Sequence, residues 1–249
     1  MNGFKILFYY GMKRRIKDSF LISYGVMFPL LLILILGYIS TNYYSGENGI
    51  TSYYYYALVT IPLCTFLLAI TLMYVAREES LFKCGERFIL SPVDRASIVL
   101  SKILPATIST TFYNFLLLLF CSFILKIDFK GRALEMIVLL LILGFMSCAI
   151  GTFIGVCTKN FLSVKNLVSI PIMIMGILGG SFFPIASLGK GIEIISYFSP
   201  LTWINRGIFS MLNDNSMTVY IISTVLALVI GILFTIGAIK KFNRVLKYS

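Results

Sequence analysis

Six stretches of the sequence contain no charged residue, and they constrain the fold more than any other feature. Crossing the roughly 30 Å hydrocarbon core of a bilayer takes about 20 helical residues, and all six stretches are of that order. Alternating ten-residue strands are absent, which argues against a transmembrane β-barrel. The sequence therefore predicts an all-α integral membrane protein with six transmembrane helices. The stretches are residues 20–39, 53–75, 103–125, 136–157, 166–183 and 217–239.

The composition supports this class. Hydrophobic residues make up 59% of the 249 residues and charged residues 12%, whereas an average soluble domain is about half apolar and about a quarter charged. Intrinsic disorder requires the opposite balance. The chain contains no histidine, which excludes histidine-based catalysis and histidine-ligated metal sites. The five cysteines lack CxxC spacing and are interpreted as small apolar filler. No cleavable signal peptide is evident.

The distribution of Lys and Arg predicts the orientation. One set of flanking segments, residues 1–19, 76–102, 158–165 and 240–249, holds 16 of the 21 Lys and Arg residues. The other set, residues 40–52, 126–135 and 184–216, holds 5. Because cytosolic loops are enriched in basic residues, we expect a multi-pass protein of the cytoplasmic membrane with both termini in the cytosol. This role for the net charge of +11 is preferred to nucleic-acid binding.

The segment before the first span is not itself a span. Phe4, Leu7, Phe8 and Met12 recur at helical spacing, and basic residues follow at 13–17. Residues 1–19 are therefore predicted to form an amphipathic helix at the cytosolic interface. The alternative is a plain basic flank of the first span.

The fourth span carries a row of small residues, Gly144, Cys148, Gly151 and Gly155, at helical spacing. Small residues on one face let helix backbones approach closely in lipid. This row is expected to be an internal packing face, and a subunit interface is the alternative.

The spans carry no Asp, Glu, Lys or Arg. Proton-coupled transporters, charge-ring channels and most intramembrane enzymes need such groups at depth, so the sequence argues against all three. The nearest string to a P-loop, residues 188–191, lacks the leading glycine and the Ser or Thr after Lys. We therefore predict a non-enzymatic chain with no catalytic residue, cofactor or metal of its own. Energy for any pumping must come from another subunit.

Two loops are informative. The cytosolic loop at 76–102 places acids and aromatics on one short helix within 77–95, which indicates a docking element for a cytosolic partner; an ordinary polar loop is the alternative. Asp94 is placed to cap the following helix. The outer segment 184–216 contains Pro184 and Pro200, which break it into pieces too short to cross the membrane. It is predicted to form re-entrant or interfacial helices, with Tyr197 and Trp203 at headgroup level.

These loops carry a family resemblance. Glu86, Ser91-Pro92-Val93 with Arg95, and Lys102 resemble the ABC-2 type transporter permease family. So do Phe182-Phe183-Pro184, Ser199-Pro200-Leu201-Thr202 and Arg206, and the resemblance covers essentially the whole chain.

The resemblance implies the membrane subunit of an ABC exporter, paired with a second permease copy or close homologue. A separate ABC ATPase would hold ATP and Mg, and membrane lipid, but no nucleic acid, would be a further partner. The outer pair of short helices would close the outer end of the path. The ATPase would contact the coupling residues Glu79, Phe82, Gly85, Glu86, Arg87, Ser91, Pro92 and Arg95. The residues of the outer re-entrant region would be Phe182, Phe183, Pro184, Ser199, Pro200, Trp203 and Arg206.

Three functions remain open at this point. The uncharged spans favour export of an amphipathic or lipid-like cargo, such as a drug, an antimicrobial peptide or a lipid, and hence a resistance role. The tyrosines at 43–44 and 53–56 leave a cell-surface polysaccharide or glycolipid cargo open. A non-transporting membrane sensor or immunity protein is the third possibility.

Overall fold

The computed structural model describes residues 3–42, 51–81, 94–158, 161–182 and 189–247, and every regular element within these ranges is helical. A π-helical turn, Ser23–Met27, joins α2 to α3. The helices are α1 Gly3–Ile16, α2 Ser19–Ile22, α3 Phe28–Ile39, α4 Ser52–Leu81, α5 Arg95–Phe123, α6 Ala133–Cys157, α7 Phe161–Leu178, α8 Lys190–Ser196, α9 Pro200–Leu212 and α10 Met217–Lys247.

Four of the predicted spans are confirmed as helices long and apolar enough to cross a membrane. They are Ser52–Ala76, Arg95–Phe123, Ala133–Cys157 and Met217–Phe242. Two further apolar helices within the described residues, Ser23–Ile39 and Val168–Leu178, are shorter. The described residues are therefore all-helical with four candidate spans, and the count of six spans stays a prediction.

The helices bring the segments between them to two opposite ends of the bundle. The proximal end holds α1, the C-terminal part of α4 and the first turns of α5, and Lys102 there lies 5.9 Å from the ring of Phe242 on α10. The distal end holds the first turn of α4, where Tyr54 bonds to Asn213, together with the end of α7. The described segments between the helices thus fall into the same two groups that the Lys and Arg distribution predicts. The group rich in basic residues lies at the proximal end.

The small residues of α6 form an internal packing face, as the sequence predicts. A Cβ on Gly151 would lie 2.0 Å from the carbonyl oxygen of Ala69 on α4, and one on Gly155 would lie 2.7 Å from that of Met73. Cys148 is fully buried in the adjacent core. Glycine therefore lets the α4 and α6 backbones touch, and α4 is the most buried of the four long spans.

Helix α1 packs alongside the bundle, and its amphipathic character stays a prediction. Gly11 lies against α5, where a Cβ would come within 2.8 Å of the carbonyl oxygen of Ser101. The predicted apolar row is half-buried, whereas Tyr9 and Tyr10 on the other side are 64% and 62% exposed. Part of the apolar row is therefore covered by protein.

The first apolar stretch contains an irregularity that the hydropathy pattern does not show. Pro29 lies in the first turn of α3, where it cannot donate a backbone hydrogen bond and its ring crowds the carbonyl four residues earlier. The preceding turn is π-helical, and the Phe28 N–H bonds to the Ser23 carbonyl, five residues back. The widened turn accommodates the proline while the helical path continues.

Two helix ends differ from the predicted stretches. α5 begins at Arg95, with Asp94 as its N-cap residue, yet the Asp94 side chain makes no capping hydrogen bond. α7 ends at Leu178, before the predicted end at 183. Gly180 there adopts a φ of +76°, and the N–H of Ser181 bonds to the Gly176 carbonyl at 3.2 Å. This is a Schellman-type C-cap, which glycine favours because it lacks Cβ strain.

Candidate functional site

A cavity lies at the proximal end, between the α1–α2 connection, α4 and α7. Its volume is about 810 Å³, which lies within the roughly 300–1,000 Å³ of typical small-molecule sites. Its position beside the most enclosed helix makes it the candidate binding site among the described residues. The lining residues are Arg14, Lys17, Asp18, Tyr24, Leu67, Ile70, Thr71, Tyr74, Val75 and Ser169.

The charged side of the cavity comes from the connection between α1 and α2. The carboxylate of Asp18 accepts a 3.2 Å hydrogen bond from Arg15, which is 3% exposed. Its other oxygen accepts the backbone N–H of Leu21 at 3.3 Å. Arg15 thus supports Asp18 from behind the lining. Among the lining residues, the charged side chains are Arg14, Lys17 and Asp18.

The opposite wall is apolar and aromatic. Leu67, Ile70 and Val75 of α4 face the cavity, and the phenols of Tyr24 and Tyr74 stand beside them. A site with one charged side and one apolar wall suits an amphipathic ligand, because the polar and apolar parts of such a ligand each meet a matching surface.

At the distal end, side chains at the start of α9 bond to carbonyls at and just after the end of α7. Ser199 donates to Met175 at 2.9 Å, Thr202 to Leu178 at 2.9 Å and Asn205 to Gly179 at 2.7 Å. The donors recur every three residues, so they lie on one face of α9. They satisfy carbonyls that the end of a helix otherwise leaves without partners.

Tyrosines of α4 extend this closure. Tyr55 donates to the Gly180 carbonyl at 2.7 Å, and Tyr56 donates to the Phe182 carbonyl at 2.9 Å. Both tyrosines are buried, and Tyr55 also stacks on Phe209 of α9 at 5.5 Å between ring centroids. We define the distal closure as Tyr55, Tyr56, Ser199, Thr202 and Asn205 with the carbonyls of residues 175–182 that they bind.

The distal closure is not fully satisfied. Within the described part of the chain, the side-chain oxygens of Ser181 and Asn205 are buried without a hydrogen-bond partner. Buried polar atoms of this kind are uncommon in folded proteins, and they weaken the state that contains them. The distal closure therefore combines short hydrogen bonds with two unsatisfied polar atoms in or beside it.

The predicted outer residues lie in and around this closure. Arg206 pairs with Glu193 of α8 at 3.0 Å and lies 4.2 Å from the ring centroid of Tyr197. Trp203 donates its indole N–H to the Tyr197 carbonyl at 2.9 Å. Pro200 occupies the first turn of α9, where a missing N–H costs nothing. Phe183 and Pro184 lie outside the described residues.

The predicted coupling residues are mostly beyond the described ranges. Glu79 belongs to the last turns of α4, and Arg95 is the exposed first residue of α5. The end of α4 and the start of α5 therefore meet at the proximal end, and the coupling role of the segment between them stays a prediction. The residues outside the described ranges are Phe82, Gly85, Glu86, Arg87, Ser91 and Pro92.

The sequence analysis missed the cavity. It also missed the hydrogen bonds that Tyr55, Thr202 and Asn205 donate to backbone carbonyls at the distal end. The cavity residues come from three separated segments, and no linear pattern joins them. Polar residues at spacing three on the apolar helix α9 were the available signal for the closure. Among the described residues, no group of three or more Cys, Asp or Glu could hold a metal ion.

A comparison with protein-family models gives one finding. The model described as ABC-2 type transporter matches residues 2–213. A search of curated proteins finds no match.

Proposed function

Because the chain belongs to the ABC-2 type transporter family, and is therefore an ABC transporter permease, we propose that it moves an amphipathic or lipid-like molecule outward across the cytoplasmic membrane. The cargo class covers drugs, antimicrobial peptides and lipids. The observation that carries this proposal is the amphipathic cavity at the proximal end, combined with the closure at the distal end.

The orientation follows from charge. The proximal end carries most of the Lys and Arg residues, so we place it, and both termini, in the cytosol. In this arrangement the cavity would load from the cytosolic side, and the contacts between α7 and α9 would close the outer side, as an exporter requires before transport.

The driving force would come from a separate ABC ATPase, since the chain lacks a P-loop. The segment 82–93 joins α4 to α5 at the proximal end, and we propose that it seats in the ATPase. α4 contributes to the cavity through Leu67 and to the distal closure through Tyr55. A movement at the end of α4 would therefore reach both features along one continuous helix, which contains Pro62 between them.

Three of the tyrosines that left a polysaccharide cargo open form hydrogen bonds within the helix bundle. The hydroxyls of Tyr54, Tyr55 and Tyr56 bind Asn213, Gly180 and Phe182. No observation favours this cargo over an amphipathic one.

Transport in inside-out membrane vesicles tests the proposal. Three fluorescent probes would be offered with ATP and Mg: a labelled phospholipid, an amphipathic drug-like dye and a cationic peptide. We expect ATP-dependent uptake of at least one probe when permease and ATPase are both present. Uptake of none above the level of vesicles without the permease would contradict the proposal.

A further inference from the structure

The helical path from α2 to α3 buries every fourth residue. The buried positions are Leu21, Gly25, Pro29, Ile33 and Gly37. In an unbroken α-helix a step of four residues overshoots a full turn by about 40°, so four such steps carry the row about 160° around the axis. A straight α-helix would therefore turn the last of these positions almost opposite to the first.

The π-helical turn Ser23–Met27 takes back most of this rotation. It contains one residue more than an α-helical turn, so it sets the positions after it back by about 100°, the rotation of one residue. The turn is held at Gly25, where a Cβ would lie 3.1 Å from Cδ2 of Tyr113 on α5. The end of the row is held as well, since a Cβ on Gly37 would lie 2.5 Å from the ring of Tyr53 on α4. The π turn thus sets the rotation of α2 relative to α3.

The same turn sets the direction of the Tyr24 side chain, which lines the proximal cavity. Tyr24 also packs against the buried cluster of Leu21, Leu68 and Tyr113. Its ring centroid lies 5.4 Å from that of Phe28. Protein on these sides holds the ring toward the cavity before a ligand arrives, which lowers the cost of binding. An α-helical turn in this place would rotate Tyr24 by about 100° relative to α3 and direct it away from the cavity.

The surfaces around Tyr24 indicate the chemistry of the apolar part of the ligand. Tyr74 is a second aromatic residue of the lining, and Leu67, Ile70 and Val75 supply aliphatic surface. Aromatic rings attract other rings beyond the effect of buried area, whereas aliphatic side chains accept alkyl chains and rings alike. A ligand whose apolar part carries an aromatic ring therefore gains more from this wall than a ligand with a plain alkyl chain.

We propose that Tyr24 is a specificity-determining residue of the proximal cavity, where the π turn directs its ring at the cargo. The preferred cargo is an amphiphile with an aromatic ring in its apolar part. This cargo assignment rests on the proposed function and narrows its amphipathic class to ring-bearing amphiphiles. The headgroup plays no part in the preference, because Tyr24 contacts the apolar part.

Native mass spectrometry of the purified permease, without ATPase or ATP, tests the proposal. The protein is incubated with equal amounts of two lysophosphatidylcholines, one with a plain acyl chain and one with a chain of similar length that ends in a phenyl group. We expect the phenyl-bearing molecule to be bound about fivefold more often, as one favourable ring pair provides. In Tyr24→Leu the ratio should fall to within about twofold, whereas Tyr24→Phe keeps the ring and should keep the wild-type ratio.

A register swap separates the direction of the ring from its presence. The double variant Ser23→Tyr, Tyr24→Ser keeps the composition but places the ring one position earlier, on an exposed residue that does not line the cavity. It should lose the preference, as Tyr24→Leu does. Tyr38→Leu removes an exposed tyrosine of α3 outside the cavity and should keep the ratio. A variant that only loosened the fold would weaken binding of both molecules and leave their ratio unchanged.

Equal binding of the two molecules by the wild type, or binding of neither, would overturn the proposal. A preference that survives in Tyr24→Leu or in the register swap would do so as well. Loss of the preference in Tyr38→Leu would show a general effect of tyrosine removal and would equally contradict it. Because the assay uses neither ATP nor the ATPase, its failure is distinguishable from a failure of ATP-driven transport.

Discussion

The phenol of Tyr55 donates a 2.7 Å hydrogen bond to the carbonyl of Gly180, and this bond ties the first turn of α4 to the end of α7. It connects the central helix, which also lines the proximal cavity, to the region that closes the opposite end. Through this contact a movement of α4 can reach the distal closure.

Tyr55→Phe removes this hydrogen bond and keeps the ring. The Gly180 carbonyl then loses a buried partner, so we expect a loss of about 1–3 kcal/mol of stability and a lower melting temperature. The melting temperature can be followed by reaction of a thiol dye with Cys64, Cys121 and Cys148, which are buried until the protein unfolds. Tyr38→Phe is the control, because Tyr38 is 74% exposed. An equal shift in both variants would contradict the role of Tyr55.

Gly151→Ala tests the contact between α4 and α6. The added methyl would overlap the Ala69 carbonyl oxygen, at 2.0 Å, so the two helices must separate. Overpacking of this kind costs about 1–3 kcal/mol or more, and we expect poor yield or an aggregated size-exclusion profile. Gly144→Ala is the matched control, since its Cβ would meet Thr110 at an ordinary 3.6 Å. Normal folding of Gly151→Ala would show that the close approach is not needed.

The proposed orientation predicts where tags are accessible. A tag at the C-terminus should be protected in intact cells, because both termini lie on the basic side. A tag inserted within residues 43–50, on the other side, should be labelled by a reagent that cannot cross the membrane. Labelling of a C-terminal tag by that reagent in intact cells would contradict the cytosolic placement of the proximal end.

Glu86→Lys tests the coupling segment. Reversing the charge of one member of a desolvated ion pair should cost at least the roughly 2–5 kcal/mol of association that removing it costs. We therefore expect this variant to insert and dimerise normally but to lose ATPase co-purification and transport. Glu47→Lys, in the outer loop, should lose neither ATPase co-purification nor transport. Full ATPase binding and full transport by Glu86→Lys would remove the main support for residues 77–95 as the docking element.

The sequence predicted those features that the bilayer imposes directly. A charge buried in lipid is costly, so charge-free stretches mark helices and the basic loops mark one end. The internal face of Gly151 and Gly155 was also predictable, because only small residues permit such contact. The end of α7 could have been placed better, since a Gly-Gly pair at 179–180 is a common helix stop.

Features that depend on three-dimensional neighbours were not predictable in this way. Lys17, Leu67 and Ser169 line one cavity from distant parts of the chain. Asn205 is one of many polar residues in the sequence, and only packing shows that its amide meets the Gly179 carbonyl. The π-helical turn before Pro29 is a local response to a proline that hydropathy treats as neutral.

The most direct test of the central claim is ATP hydrolysis by purified components. The permease alone should hydrolyse ATP no faster than empty detergent, because it has no P-loop. Co-expressed with an ABC ATPase subunit of its source cell, it should elute with that subunit as one complex that hydrolyses ATP. Turnover by the permease after rigorous removal of every partner, or failure of every such ATPase to co-elute, would contradict the proposal that it is the membrane subunit of an ABC exporter.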